Sequence, residues 1–157
     1  MKALKPVLSV RELPPNTSRL RQSLPSIKEY LGERPDNEED QIIGYLSHGE
    51  IACIYPDRGL AYDVLQPGQP IHLSIGASAE PSREERIALS TDPRLAASAI
   101  LTDGVWLWPA VLIYYVSRYH VRLPENFVAH ARSNRWTVDV SQIDFKDLNT
   151  DAFESPL

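Results

Sequence analysis

One run, TDGVWLWPAVLIYYVSRYHVRLP at residues 102–124, constrains this chain more than any other. Asp103-Gly104 lies between SAIL at 98–101 and GVWLW at 104–108. An Asp-Gly pair between β-prone residues is a strong hairpin signal. Trp106 and Trp108 are two apart, so on a strand they face the same side. Pro109 suits the first turn of a helix, where its missing N–H costs nothing. That helix should run to about His120. Leu112, Tyr115, Val116 and Tyr119 then fall on one stripe, at spacings i, i+3, i+4 and i+7. Trp106, Trp108, Tyr115 and Tyr119 are expected in the core, because each ring buries a large apolar area. Tyr114 and Arg118 lie off the stripe and are candidates for contact with a partner.

The flanking sequence predicts what this unit packs on. VRLP at 121–124 leads to a second helix, PENFVAHARSN, opened by Pro124, with Glu125 near its positive end. Phe127, Val128 and Ala131 form its apolar side, and Asn134 is placed to end it. WTVDV at 136–140 reads as a last strand, and residues 141–157 as an acidic tail. At the other end, residues 1–25 read as a basic arm, interrupted by Pro6, Pro14, Pro15 and Pro25, with one short strand at PVLSV, 6–10. SIKEYLG at 26–32 reads as a short helix.

In ERPDNEEDQIIGYLSHGE, 33–50, Asp36 and Glu39 have the spacing of a capping box ahead of the stripe Ile42, Ile43, Leu46. Gly49 is expected in the left-handed position that ends the helix, and Gly44 is expected to admit a close neighbour. Two strands around PDRG follow within 51–65, then a strand at IHLSI, 71–75, and a short helix from Ser82 to Leu89. The pattern is α+β: a small, mainly antiparallel sheet with several short helices, in a single domain over 26–140.

At 157 residues the chain can bury a core of its own. No run of about 18 apolar residues occurs, so no membrane span is expected. No signal peptide is read at the N-terminus. Cys53 is the only cysteine. An internal disulfide is therefore excluded, no thiolate metal cluster is expected, and a reducing, cytoplasmic setting is favoured. The net charge is −5, but residues 1–25 carry five cations against Glu12, a surplus of four, which leaves −9 on the rest. Such a body repels nucleic acid and suits a basic protein surface.

Signs of catalysis are few. His48, His72, His120 and His130 include no i, i+4 pair, so neither a metal nor a cofactor is expected. A Cys53–His72 nucleophile pair is conceivable, but Cys53 sits between Ala52 and Ile54, and apolar burial makes a thiol inert. Nucleophile-elbow, phosphate-loop and dinucleotide-binding glycine motifs are all missing from the sequence. The chain reads as a non-enzyme.

The run ILTDGVWLWPAVLIYYVSRYHVRLPENFVAHARSNRW, 100–136, resembles one found in small bacterial immunity-type proteins encoded beside secreted polymorphic toxins. GYLSHGEIA at 44–52 and AYDVL at 61–65 fit the same group. The resemblance implies a cytoplasmic, non-catalytic protein that binds and occludes a cognate toxin with a basic active-site cleft. The expected contacts are Glu38, Glu39 and Asp40, with Tyr114 and Arg118. The alternative from another class is an adaptor or regulatory domain of a larger bacterial assembly, docking through the 1–25 arm.

Overall fold

The computed structural model describes residues 2–14, 21–54, 62–71, 99–139, 141, 143 and 148–149. The PDRG turn, the 82–89 helix, most of the IHLSI strand and most of the acidic tail lie outside the described residues. The fold is α+β. Its main sheet contains β2 (Lys5–Pro6), β3 (Glu50–Ile54), β4 (Ala99–Thr102) and β5 (Trp106–Pro109), in the order β2-β5-β4-β3. β3, β4 and β5 pair antiparallel, whereas β2 lies parallel to β5. A separate parallel pair joins β1 (Lys2–Ala3) to β6 (Leu148–Asn149). Three helices complete the described fold: α1 (Glu39–Ser47), α2 (Val111–Tyr119) and α3 (Glu125–Ser133).

The TDG turn shows how local chemistry fixes the hairpin. Thr102 Oγ1 accepts from the Gly104 amide at 2.9 Å and donates to the Trp106 carbonyl at 2.8 Å. Asp103 Oδ1 accepts from the amides of Val105 at 2.9 Å and Trp106 at 2.8 Å. Gly104 takes φ +97, which L side chains rarely adopt. Every residue of β4 and β5 is buried, so these two strands form the centre of the molecule. Trp106 and Trp108 present the same side of β5, and Phe127 of α3 packs edge-on against both, with centroids 5.5 and 5.9 Å away. Trp108 is 0% exposed, and its indole N–H donates to the Leu46 carbonyl of α1 at 3.1 Å. Gly49 is not left-handed. It is needed for space, because a Cβ there would lie 2.5 Å from the Trp108 ring. Gly44, by contrast, has no close neighbour.

The N-terminal segment is part of the domain. Leu4, Val7, Leu8, Val10 and Leu13 are buried in the common core. Lys5 N–H donates to the Val105 carbonyl at 3.0 Å, and Val7 N–H to that of Leu107 at 2.9 Å. The Glu12 carboxylate accepts from Ser26 Oγ at 2.6 Å and from the Ile27 amide at 2.8 Å, which anchors the 3-10 turn Ile27–Tyr30 where a short helix was expected. The packed unit therefore starts well before residue 26. Prolines hid this in the sequence, yet Pro6 is harmless on an edge strand, which can spare a donor. These contacts also occupy most of the segment that the adaptor reading needs free.

Other boundaries move for physical reasons. Pro109 closes β5 opposite Ile100 instead of opening α2. Pro124 sits at the N-cap of α3, with φ −57 and ψ 139, one residue before the helix. The Asp36–Glu39 capping box does not form. Asp36 Oδ1 accepts from the Glu38 amide at 2.9 Å, while the Glu39 carboxylate turns to His120. The strand expected at 136–140 is replaced, over the described residues 136–139, by irregular chain. Its cause is the end of α3. The Arg135 amide bonds to the Arg132 carbonyl and the Trp136 amide to that of Ala131, both at 3.0 Å, with φ 57 and 58 at Arg135 and Trp136. This is a Schellman termination, and it turns the chain out of an extended path.

Candidate functional site

Between the TDG turn, the end of α3 and residues 134–139 lies an open concavity of about 660 Å³. That volume is in the range of ligand pockets. Asp103, at the tip of the hairpin, forms its floor. Its side chain is 2% exposed and is saturated. Oδ1 holds the two turn amides, while Oδ2 accepts from the Tyr45 hydroxyl and faces His130 Nε2 at 3.1 Å. A carboxylate oxygen only accepts, so His130 carries its proton on Nε2, and Nδ1 is the nitrogen left over. Asn134 Nδ2 lies 3.2 Å from His130 Nε2 and 3.4 Å from the Tyr45 hydroxyl. Burial, with the Asp103 carboxylate beside it, raises the Tyr45 pKa well above the ordinary phenol value and keeps the hydroxyl a donor. Arg135, Thr137 and Asp139 form the rim.

A second buried carboxylate is tied to α2. Asp63 is 2% exposed. Its Oδ2 accepts from the hydroxyls of Tyr114, at 2.7 Å, and Tyr119. Its Oδ1 accepts from the amides of Leu65 at 2.7 Å and Gln66 at 3.1 Å. Tyr115 takes the neighbouring Val64 amide at 2.9 Å. Together these contacts tie residues 62–66 to α2. Burial pushes the Asp63 carboxyl up, but the bonds from Tyr119, Tyr114 and the two amides outweigh it and hold its pKa below the ordinary 3.8. The same burial and carboxylate push Tyr114 up to about 12 and raise Tyr119 as well.

A folded-state pKa below the unfolded value means stability that is complete above pH 3.8 and is lost as pH falls through the folded value. Asp63→Asn should therefore lower stability at pH 7 and flatten the acid limb of a urea-midpoint profile below pH 4. An acid limb unchanged from the parent would refute this role for Asp63.

The acidic segment at the start of α1 is largely neutralised from within. Glu38 pairs with Arg132, Nη2 to Oε1 at 2.6 Å, which lowers the Glu38 pKa and raises that of Arg132. Glu39 is 8% exposed and receives His120 Nδ1 at 2.9 Å. His120 takes the left-handed conformation, φ 56, at the end of α2 to reach it. Asp36 pairs with Arg122 at 3.1 Å. Asp40 is exposed.

The residues singled out in sequence thus part company. Asp40 and Arg118 face solvent, Glu38 is half-buried in its pair, Glu39 is buried, and Tyr114 is half-buried with its hydroxyl on Asp63. Trp106, Trp108 and Tyr115 are core residues, whereas Tyr119 is only partly buried. Cys53 is partly buried against the core, and His72 lies outside the described residues. Sequence reasoning passed over Asp63 and Arg135, and it read Asp103 only as a turn residue. Tyr114 and Tyr119, five apart and both with hydroxyls to satisfy, were the one available hint of a shared acceptor such as Asp63.

Among the described residues no group of three or more His, Cys, Asp or Glu side chains is placed to hold a metal ion, and no helix is long and apolar enough to cross a membrane. The chain matches no family model, no curated protein and no solved structure.

Proposed function

We propose that this chain is a non-catalytic, cytoplasmic immunity-type protein that binds a cognate bacterial toxin and occludes its basic active-site cleft. The observation that carries the reading is how its buried carboxylates are used. Asp63 and Asp103 each engage four donors, and Glu39 is committed to His120. A carboxylate so engaged cannot take a proton from a substrate without breaking the contacts that hold the fold. These groups serve a rigid scaffold, which suits a protein whose work is to present a surface. The resemblance of 100–136 to immunity-type proteins supports the same reading, since that stretch builds the hairpin, α2 and α3.

In this reading the docking edge is the start of α1. Asp40 offers an outward carboxylate, and Glu38 can exchange Arg132 for a cation of the toxin. Such a surface speeds encounter with a basic cleft and makes binding salt-sensitive. Asp40 is exposed, so Asp40→Lys should leave the fold intact. With the toxin domain encoded beside this gene, calorimetry should give a one-to-one complex, and Asp40→Lys should weaken it at least ten-fold and reduce its salt dependence. Unchanged affinity and salt dependence would remove this edge from the interface. No complex with the purified toxin domain would remove the reading itself.

A further inference from the structure

Four of the five described glycines answer to the fold. At Gly32 and Gly49 an added Cβ would meet the His120 carbonyl oxygen at 2.7 Å and the Trp108 ring at 2.5 Å, and Gly68 and Gly104 take positive φ. Gly44 has neither reason. It lies inside α1 without a positive φ. Beyond its chain neighbours and the helix's own backbone, no described atom comes within 4 Å of where its Cβ would be. The His48 ring folds back and donates from Nδ1 to the Gly44 carbonyl at 2.6 Å, but that bond uses the main chain and leaves the Cβ position open. Glycine inside a helix weakens it relative to alanine, because more backbone freedom is lost on folding. At Gly44 that loss serves no contact within the described fold. A bare stretch of helix backbone permits what a side chain prevents, the close approach of another main chain.

The bare stretch faces outward. α1 buries Glu39, Ile42, Tyr45 and Leu46, and it exposes Asp40, Gln41 and His48. Asp40, Gly44 and His48 follow one another at four-residue spacing, so they line one ridge of the outer face. Asp40 gives that ridge its charge. Asp36, Glu38 and Glu39 are each paired with a cation, whereas Asp40 makes no hydrogen bond or ion pair among the described residues. The helix itself contains no Lys or Arg. We infer that the outer face of α1 receives a main-chain segment of the cognate toxin, which crosses the helix at Gly44 and sets a lysine or arginine on Asp40. The inference rests on the immunity reading and carries its docking edge from the start of α1 to the middle of the helix. Charge complementarity selects the occupant. An exposed, unpaired carboxylate one turn from bare backbone suits the cationic rim of a basic cleft, and Gly44 fixes where the two chains lie closest.

Substitution at Gly44 should move stability and binding in opposite directions. Gly44→Ala should raise the folding equilibrium constant about three- to five-fold, read from urea denaturation, because the added methyl meets open space. Glutamine also suits a helix, so Gly44→Gln should be at least as stable as the parent. Calorimetry of the full chain with a purified candidate toxin domain from a neighbouring gene should show affinity falling in the order parent, Ala, Gln. The Gln variant should bind about ten-fold or more weakly than the parent, because its side chain overpacks the contact. Gly44→Gln binding as tightly as the parent would overturn this inference and leave the immunity reading standing. So would a Gly44→Ala chain less stable than the parent, since Gly44 would then serve the fold. A parent chain that sediments as a dimer, split by Gly44→Gln, would assign the face to a second copy and overturn the toxin as its occupant. No complex with the parent would remove the immunity reading and this inference with it.

Discussion

Trp108→Ala should lower the unfolding free energy by about 3–5 kcal/mol, the largest loss expected from any single truncation here. Trp108 is fully buried at the junction of β5, α1 and α3, with Tyr45 and Phe127 against its ring at centroid distances of 6.2 and 5.9 Å. Truncation leaves a cavity in close-packed surroundings and strips the Leu46 carbonyl of its donor. Gly49 lies against the ring, and its lack of a side chain cannot fill the space. Total stabilities of such domains are about 5–15 kcal/mol, so the variant should be partly unfolded at 37 °C. Trp108→Phe should lose less, because it keeps most of the volume. Urea denaturation followed by far-UV circular dichroism measures both. A loss below 1 kcal/mol for Trp108→Ala would mean that this tryptophan is not the centre of the core.

Asp103→Ala should cost about 3–4 kcal/mol although it removes only three heavy atoms, because four donors lose one acceptor and each orphan costs about 1–3 kcal/mol before water repairs part of it. Two of the donors are the turn amides of Val105 and Trp106, and the other two are Tyr45 and His130, from α1 and α3. One carboxylate thus joins the hairpin to both helices. Asp103→Asn should lose clearly less. Its amide oxygen can still take the turn amides, while its NH₂ group must face Tyr45 and His130. The expected order of stability is parent, Asn, Ala, measured by the urea midpoint at pH 7. If Ala and Asn were equal to the parent, the network would be incidental to the fold.

How much of this was legible in the sequence depended on whether the cause was local. The TDG hairpin, the paired tryptophans and helices near 111–119 and 125–133 follow from turn chemistry and periodicity. The α+β class follows from the same signals. The role of residues 2–14 was not legible, because their strands are two residues long and pair with segments far along the chain, Lys2 with Leu148 and Lys5 with Trp106. Asp36 and Glu39 had capping-box spacing, but Glu39 found a stronger partner in His120, eighty-one positions on. The same limit applies to the site. Asp103 announces a turn, and nothing local says that Tyr45 and His130 converge on it. An acidic run reads as a free negative surface until Arg122, His120 and Arg132 are seen to fold back onto it. At Arg135 the helix stop was visible at Asn134, but a left-handed arginine has no sequence signature.

Under the proposed function this chain protects by binding a toxin. The most direct measurement is growth of a sensitive bacterial host carrying a candidate toxin domain, taken from a neighbouring gene, on an inducible promoter, with and without this chain. The account predicts that co-expression restores growth, that Trp108→Ala loses protection through loss of fold, and that Asp40→Lys weakens protection while the chain remains folded. Growth arrest undiminished by the folded parent chain, at expression equal to or above that of the toxin, would contradict it.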